Sequence, residues 1–90
     1  MGMGKKICRL DELHAGQWGR IVEMHVAEDI GQRLKDMGFV QGGRIERVYG
    51  SPFGDPAAYF VKQTLIALRN GDAGKISVET EGGAEENGTE

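Results

Sequence analysis

The chain has 90 residues, which is one domain at most and only just enough to bury a core without disulfides or metals. Its single cysteine, Cys8, excludes an intrachain disulfide, and we expect a reducing, cytoplasmic setting. Of the 14 acidic residues, four lie in residues 81–90, and the rest of the chain has 11 basic against 10 acidic residues. This balance lacks the concentrated basic field of a nucleic-acid-binding protein, and no apolar stretch is long enough for a membrane-spanning helix.

The N-terminal part of the chain shows one predicted strand. We expect residues 1–6 to be a frayed start, and Leu10 and Leu13 to flank an acidic turn. The segment after this turn has a period of two, and the residues on its apolar face are Val22, Met24 and Val26. Trp18 lies in the glycine-flanked approach to this strand, where we expect it to be a core residue or a lid over one end of the fold.

A change of period from two to about 3.6 then predicts one short amphipathic helix. Its apolar residues, spaced i, i+4 and i+7, are Ile30, Leu34 and Met37. Glu28 or Asp29 is placed to cap the first turn, and Gly38 is placed to end the helix in a left-handed conformation. A helix end of this kind allows the next apolar side chain to fold back onto the helix.

Short strands follow the helix. The sequence "RIERVYG" alternates, with Ile45 and Tyr49 on one side, and "AAYFVKQTLIALR" is too long for one strand, so we divide it at residues 62–64. "RNGDAGKI" predicts a turn or a single helical turn, and "ISVE" predicts a fifth strand. Five short strands and one helix indicate a small, mainly antiparallel barrel over residues 7–79, followed by a disordered acidic tail over residues 80–90.

These segments resemble, in order and spacing, the ferrous iron transport protein A family, FeoA. The similarity covers about residues 10–79 and rests on the combination of several short motifs, each of which would be weak evidence alone. The residues that carry it, with the helix residue Leu34 before them, are Met37, Gly38, Gly42, Gly54, Asp55, Pro56, Ala67, Leu68, Arg69 and Ala73. The resemblance implies an SH3-like barrel with one helix, in the bacterial cytoplasm, associated with the membrane GTPase FeoB that moves ferrous iron.

Two positions depart from the family pattern. Gln63 stands where the family commonly has glycine in the turn between two long strands. A two-residue type I′ turn requires positive φ, so we expect either a different turn type or local strain of about 1 kcal/mol at Gln63. Phe39 replaces a smaller aliphatic residue after Gly38.

The stretch "SPFGDP" is the candidate binding element. Pro52 and Pro56 restrict φ, and Gly54 accepts positive φ, so the loop is expected to be stiff. Most such loops only turn the chain, but a rigid loop that exposes Phe53 also offers an anchor to a partner at low entropic cost. The hypothetical partner-binding residues are Phe53, Gly54, Asp55, Pro56, Tyr49, Tyr59 and, on the exposed helix face, Arg33.

Neither catalysis nor a metal site is predicted. The candidate soft ligands are Cys8, His14 and His25, and their spacings match no standard zinc pattern. Cys8 has no base nearby in the sequence, the carboxylates are dispersed, and no phosphate-binding loop of the GxxxxGK[ST] type is present. We therefore expect a protein that is not an enzyme and that has no cofactor.

Three functions stay open from the sequence. The first is an adaptor or regulator that docks on FeoB, recruited to the inner face of the membrane without inserting into it. A carrier or sensor of ferrous iron that uses Cys8 or a histidine is the second. A barrel module that contacts nucleic acid is the third, although the charge distribution argues against that partner, and self-association is compatible with all three.

Overall fold

A computed structural model describes residues 5–50 and 54–81 of the chain. Within these residues six strands form one antiparallel sheet: β1 (Lys5–Arg9), β2 (Trp18–Met24), β3 (Arg44–Gly50), β4 (Ala57–Val61), β5 (Thr64–Leu68) and β6 (Ile76–Glu81). The helices are α1 (Glu28–Asp36), the one-turn α2 (Asn70–Ala73) and a single 3₁₀ turn (Leu10–Glu12). Among the described helices, none has the length and apolar character needed to cross a membrane.

The strand order across the sheet is β1-β6-β2-β3-β4-β5, so the last strand lies between the first two. All neighbouring strands are antiparallel. One face of the sheet, which we call the inner face, encloses a single hydrophobic core. The core residues are Leu10, Leu13, Ile21, Leu34, Phe39, Ile45, Ala57, Tyr59, Val61, Ile66, Leu68, Ala73, Ile76 and Val78.

The prediction of a small, mainly β fold is confirmed, with six strands instead of about five. The missed strand is β1, because residues 5 and 6 were expected to be frayed. It pairs with β6 from Lys5↔Glu81 to Arg9↔Ser77. β1 lacks the alternating apolar pattern of a half-buried strand because it is an edge strand rich in cationic residues. At the other end, β6 continues through Thr80 and Glu81, and Thr80 is buried. Of the expected acidic tail, residues 82–90 lie outside the described residues.

Because of a β-bulge in β2, the side chains that face the core differ from those predicted. The pairing with β6 shifts between Ile21 and Glu23, so the strict alternation of side chains is interrupted there. Ile21 is 2% exposed and is the main core residue of the strand, whereas Val22 is only half-buried. Met24 and Val26 pack against the core, as expected. The bulge therefore places Ile21 and Met24 on the same side, which a strict period of two excludes.

Helix α1 ends as the sequence predicts. Gly38 has φ +108°, and its N–H donates to the Lys35 carbonyl while the Phe39 N–H donates to the Leu34 carbonyl at 2.9 Å. This is the paired hydrogen bonding of a Schellman motif. It turns Phe39 into the core, where the ring is fully buried, and Met37 packs against the same core.

The N-terminal end of α1 differs from the prediction. The capping residue is Ala27, and no side chain caps the first turn. Asp29 instead accepts a hydrogen bond from the backbone N–H of Ile30 at 2.9 Å. Glu28 and Asp29 lie in the first turn, where their charges interact favourably with the helix dipole.

The division of residues 57–69 into two strands is confirmed. β4 and β5 pair from Ala57↔Leu68 to Val61↔Thr64, and Lys62 and Gln63 form the turn between them. Both turn residues have positive φ, +50° and +62°, as in a type I′ turn. Gln63 therefore does occupy the conformation that favours glycine.

Candidate functional site

The loop between β3 and β4 is described only from Gly54 onward. Ser51, Pro52 and the proposed anchor Phe53 lie outside the described residues, as does the side chain of Tyr49. Gly54 has φ +81°, consistent with the expected use of glycine, and the Asp55–Pro56 peptide bond is cis. The predictions that concern Phe53 and Tyr49 stay predictions.

Two hydrogen bonds fasten this loop to the start of α2. The backbone N–H of Asn70 donates to Asp55 Oδ1 at 2.9 Å, and the Asn70 side-chain amide donates to the Gly54 carbonyl at 3.2 Å. One residue thus holds two consecutive residues of the loop, 15 and 16 positions away in the chain. We call Gly54, Asp55 and Asn70 the loop clasp. It fastens the described end of the loop to α2, and the expected effect of Pro52 on the stiffness of the loop stays a prediction.

Tyr59 lies in the core and not on the surface. Its side chain is fully buried on the inner face, so it is not available to a partner, which corrects its place in the predicted binding set. Its hydroxyl has no hydrogen-bond partner among the described residues. Burial raises the pKa of this phenol above its ordinary value of 10.0, and the nearby Arg47 guanidinium offsets part of that effect.

Arg47 connects β3 to the segment before β2. Its guanidinium donates to the Leu13 carbonyl at 2.8 Å, its backbone N–H donates to the Gln17 carbonyl, and its own carbonyl accepts from Gly16. The pairing of β3 with β4 shifts between Arg47 and Tyr49, which marks a second bulge. Arg47 is therefore a structural residue of this end of the fold, and nothing in the sequence pattern singled it out.

Arg33 and the loop clasp lie at opposite ends of β4. Arg33 is exposed on α1, whose C-terminal Gly38 packs against the side chain of Lys62, directly after β4. The clasp residue Asp55 lies just before β4, which is five residues long. Arg33 and the described loop residues Gly54 and Asp55 therefore belong to two separate surfaces.

Several residues of the family pattern have structural roles in this fold. Leu34, Leu68 and Ala73 are in the core. Gly42 has φ +84°, and its N–H donates to the Ile21 carbonyl at 2.7 Å. Arg69 is exposed and occupies the N-cap position of α2. The pattern thus marks the core, the turns and the start of α2.

The candidate metal ligands do not form a centre. Cys8, Glu12 and His14 line a cleft of about 350 Å³ beside β1, whereas His25 is exposed and lies 3.5 Å from the Glu23 carboxylate. Within residues 5–50 and 54–81, no three His, Cys, Asp or Glu side chains are grouped as metal ligands would be.

The outer face of the sheet carries apolar side chains that the sequence analysis did not identify. The register Trp18↔Glu46, Glu46↔Phe60 and Phe60↔Leu65 aligns one row across four strands. The three apolar members are exposed by 38%, 39% and 51%, in that order. We call Trp18, Glu46, Phe60 and Leu65 the outer row. The sequence signal for it was available: if Tyr59 and Val61 face the core, then Phe60 between them faces outward.

Two arginines contact the ring of Trp18. The guanidinium carbon of Arg44 lies 4.6 Å from the ring centroid and that of Arg20 lies 5.7 Å from it, both within the range of cation–π attraction. The prediction of Trp18 as a core residue or lid is therefore wrong. Its ring supports two cations on the outer face, where Arg20 and Arg44 lie opposite each other.

Comparison with known proteins places this fold in a family. The FeoA domain model matches residues 8–80, which is most of the chain and nearly all of the sheet. The chain belongs to the FeoA family. This family is involved in ferrous iron transport, and the resemblance inferred from the sequence is confirmed.

A curated relative links a FeoA region to FeoB in one polypeptide. The chain is 39% identical over 71 residues to the Fe(2+) transport protein A/Fe(2+) transporter FeoB fusion protein of Porphyromonas gingivalis (strain ATCC BAA-308 / W83). The match includes 79% of the chain and 8% of that relative, so the chain spans a small part of the fusion protein's length.

Solved structures agree with the fold. The iron(II) transport protein A of Clostridium thermocellum is 37% identical, with a TM-score of 0.77, over 83% of this chain and 46% of that one. The FeoA of Stenotrophomonas maltophilia, crystallised with zinc and described as a prokaryotic SH3 domain protein, is 32% identical, with a TM-score of 0.65. That match covers 78% of this chain and 87% of the other. The expected SH3-like class is thereby confirmed.

Proposed function

We propose that this FeoA protein is an accessory protein of ferrous iron uptake that docks on the cytosolic part of a FeoB-type transporter. The observation that carries the proposal is the Porphyromonas gingivalis relative, in which a FeoA region and FeoB form one polypeptide. Two activities joined in one chain in one organism commonly belong to one complex when they are separate chains in another. The role is that of an adaptor or regulator in the cytoplasm, at the inner face of the membrane.

The site chemistry supports a contact function rather than catalysis. The described surface offers a clasped loop, exposed apolar side chains and exposed cations, which can form a binding surface. In this proposal the GTPase chemistry belongs to the transporter, and the FeoA protein changes the assembly or the rate of the cycle by binding.

The test is a calorimetric titration of the protein with the purified cytosolic part of the FeoB-type transporter of the same organism. A saturable, stoichiometric complex is the expected result. Phe53→Ala should weaken it if the loop is the anchor, while Leu34→Ala should mainly lower the free energy of unfolding, by about 2 to 5 kcal/mol. Equal destabilisation by both variants would contradict the loop-anchor hypothesis.

A parallel titration with ferrous iron under anaerobic conditions addresses the carrier function. Saturable one-to-one binding that requires Cys8 or His14, without binding to the transporter, would replace the proposed function by metal carriage. Salt-sensitive binding of DNA at physiological ionic strength would instead favour the nucleic-acid module.

A further inference from the structure

The two edges of the sheet differ in how they are protected. β1 has cationic side chains at three of its five positions, Lys5, Lys6 and Arg9, which is a common protection against unwanted strand pairing. β5, at the opposite edge, has the sequence TLIAL, with no charged residue. Among the described residues, no strand other than β4 pairs with β5. Within residues 5–50 and 54–81, the β5 edge is therefore available to another strand.

The hairpin geometry identifies the backbone groups at this edge. In a two-residue hairpin the residues that flank the turn, here Val61 and Thr64, exchange hydrogen bonds, and every second pair after them does the same. The bonded residues of β5 are then Thr64, Ile66 and Leu68. The N–H and C=O groups of Leu65 and Ala67 point away from β4, toward the open edge.

Apolar side chains accompany these groups on the outer face. Leu65 is 51% exposed and lies beside Phe60, and Ala67 is also exposed. An added strand would cover Leu65 and extend the outer row by one position. Backbone hydrogen bonds and an apolar contact would thus come from the same strand, as in β-augmentation.

The charges at the ends of β5 indicate which strand fits. Lys62 precedes the strand and Arg69 follows it, both side chains are exposed, and neither forms an ion pair with a described residue. We propose that the open edge of β5 receives an extended segment of a partner protein, with apolar residues at its centre and carboxylates at both ends. This inference rests on the proposed function insofar as the partner is a FeoB-type transporter.

A second copy of this chain is disfavoured by the same charges. Antiparallel pairing of two β5 strands about Ile66 would align position 62 of one copy with position 70 of the other, so Lys62 would lie one residue from Arg69 of the other copy at both ends. Parallel pairing would place each cation beside its own equivalent. Like charges on neighbouring strands are destabilising, whereas terminal carboxylates of a partner strand would be attracted.

A nucleic-acid strand is disfavoured by the outer row. Exposed aromatic rings with arginines resemble a platform for unstacked bases. However, Glu46 lies between Trp18 and Phe60 and pairs with Arg44 at 3.8 Å, so the arginine closer to the Trp18 ring is already neutralised by a carboxylate and offers little to a phosphate backbone. The protein segment is the occupant that satisfies the backbone groups, the apolar residues and the charges together.

The decisive measurement is residue-resolved amide hydrogen exchange of the labelled protein, alone and with the cytosolic part of the FeoB-type transporter. We expect the amides of Leu65 and Ala67 to exchange rapidly in the free protein and to slow by about tenfold or more in the complex. The amides of Ile66 and Leu68, already bonded to β4, should change little. This alternation is specific to strand addition, because general shielding would slow all four.

Two surface variants test the same edge by affinity. Leu65→Lys should weaken binding about tenfold or more, and the matched control is Ile7→Lys. Ile7 is an equally exposed aliphatic residue (56%) on the outer face of the other edge strand, and its replacement should leave the affinity unchanged. Ala67→Pro removes one N–H that faces the open edge without removing a bond to β4, so it should weaken binding while thermal unfolding stays nearly constant.

The outcomes separate this inference from the proposed function. Protection confined to Gly54, Asp55 and Asn70 in the transporter complex would overturn the edge inference and leave the proposed function intact. If the transporter does not bind, the probe is a synthetic peptide of about nine residues with valines at its centre and glutamates at both ends. Alternating protection by this peptide supports the edge inference while the proposed function fails.

Absence of alternating protection with both probes overturns the edge inference. A single-stranded oligonucleotide that binds more tightly than the peptide and changes Trp18 fluorescence would also overturn it, in favour of nucleic acid. Concentration-dependent dimerisation that protects Leu65 and Ala67 in the protein alone would overturn it in favour of self-pairing.

Discussion

Tyr59 and Phe60 are neighbours in β4, yet one ring is fully buried and the other is 39% exposed. The inner face of the sheet holds the core residues of five strands, and the outer face carries the outer row and two arginines. The comparison shows that apolar residues in this small fold have two different roles. Those on the inner face stabilise the domain, and those on the outer face are free to contact a partner. The following predictions test that division.

The largest expected difference is between the stability losses caused by a Phe→Ala substitution on the inner face and on the outer face. Phe39→Ala should lower the free energy of unfolding by about 3 to 5 kcal/mol, because it removes a fully buried ring and leaves a cavity. Phe60→Ala, on the outer face, should cost about 1 kcal/mol or less. Chemical denaturation of both variants measures the difference. Similar losses would show that the outer row is part of the folding core.

A smaller effect is expected at the end of α1. Gly38→Ala should destabilise by about 1 to 2 kcal/mol, because φ is +108° and an added Cβ would lie 3.0 Å from the Lys62 side chain. Gly71→Ala is the matched control. Its added Cβ meets nothing within 4 Å, and its thermal midpoint should stay constant or rise slightly. An unchanged midpoint for Gly38→Ala would contradict the Schellman ending as the source of this constraint.

Removal of the buried Tyr59 hydroxyl should not weaken the packing of the inner face. Tyr59→Phe should leave stability unchanged or raise it by about 1 kcal/mol, because the hydroxyl is buried without a hydrogen-bond partner among the described residues. Equilibrium denaturation at neutral pH checks this. A clear loss of stability would show that the hydroxyl has a partner in solution.

The raised pKa of the Tyr59 phenol predicts that the stability of the protein depends on pH in the alkaline range. Because burial raises the pKa of Tyr59 in the folded state, the unfolded chain releases this proton first. The contribution of Tyr59 to stability is thus constant below a pH of about 10 and is lost as the pH rises from there through the raised folded pKa. Tyr59→Phe should show a shallower alkaline decline. Parallel declines for both proteins would contradict the assignment.

A similarly small effect is expected from the cations on Trp18. Arg44→Gln should lower stability by about 0.5 to 1 kcal/mol and change the emission of Trp18, the single tryptophan of the chain. Arg33→Gln, on the exposed face of α1, is the control and should change neither. Identical fluorescence in Arg44→Gln and the unmodified protein would indicate that the stacking is absent in solution.

Much of the fold could be predicted because its signals are local. The spacing of Ile30, Leu34 and Met37 gave the helix, and Gly38 gave its end. The polar interruption at Lys62 and Gln63 gave the β4–β5 hairpin. Each of these depends on residues within a few positions of one another, so hydrophobic period and turn chemistry are sufficient.

The candidate site was less predictable because its parts come from distant segments. Asn70 was read only as part of a turn, yet it clasps Gly54 and Asp55. Tyr59 was assigned to the surface because it lies close to the loop in the chain, but its strand face turns it into the core. Trp18 was expected to be a core residue or a lid over one end of the fold, but the register places it on the outer face.

By itself, then, the sequence determined the mainly β class, the helix with its glycine ending, the central hairpin and the family. Only the tertiary structure decided that β6 lies between β1 and β2, where the bulges in β2 and β3 fall, and which strands form the edges of the described sheet. The physical reason is that strand pairing is non-local. An edge strand such as β1 or β5 is defined by the neighbours that the whole chain provides, and its own residues do not encode them.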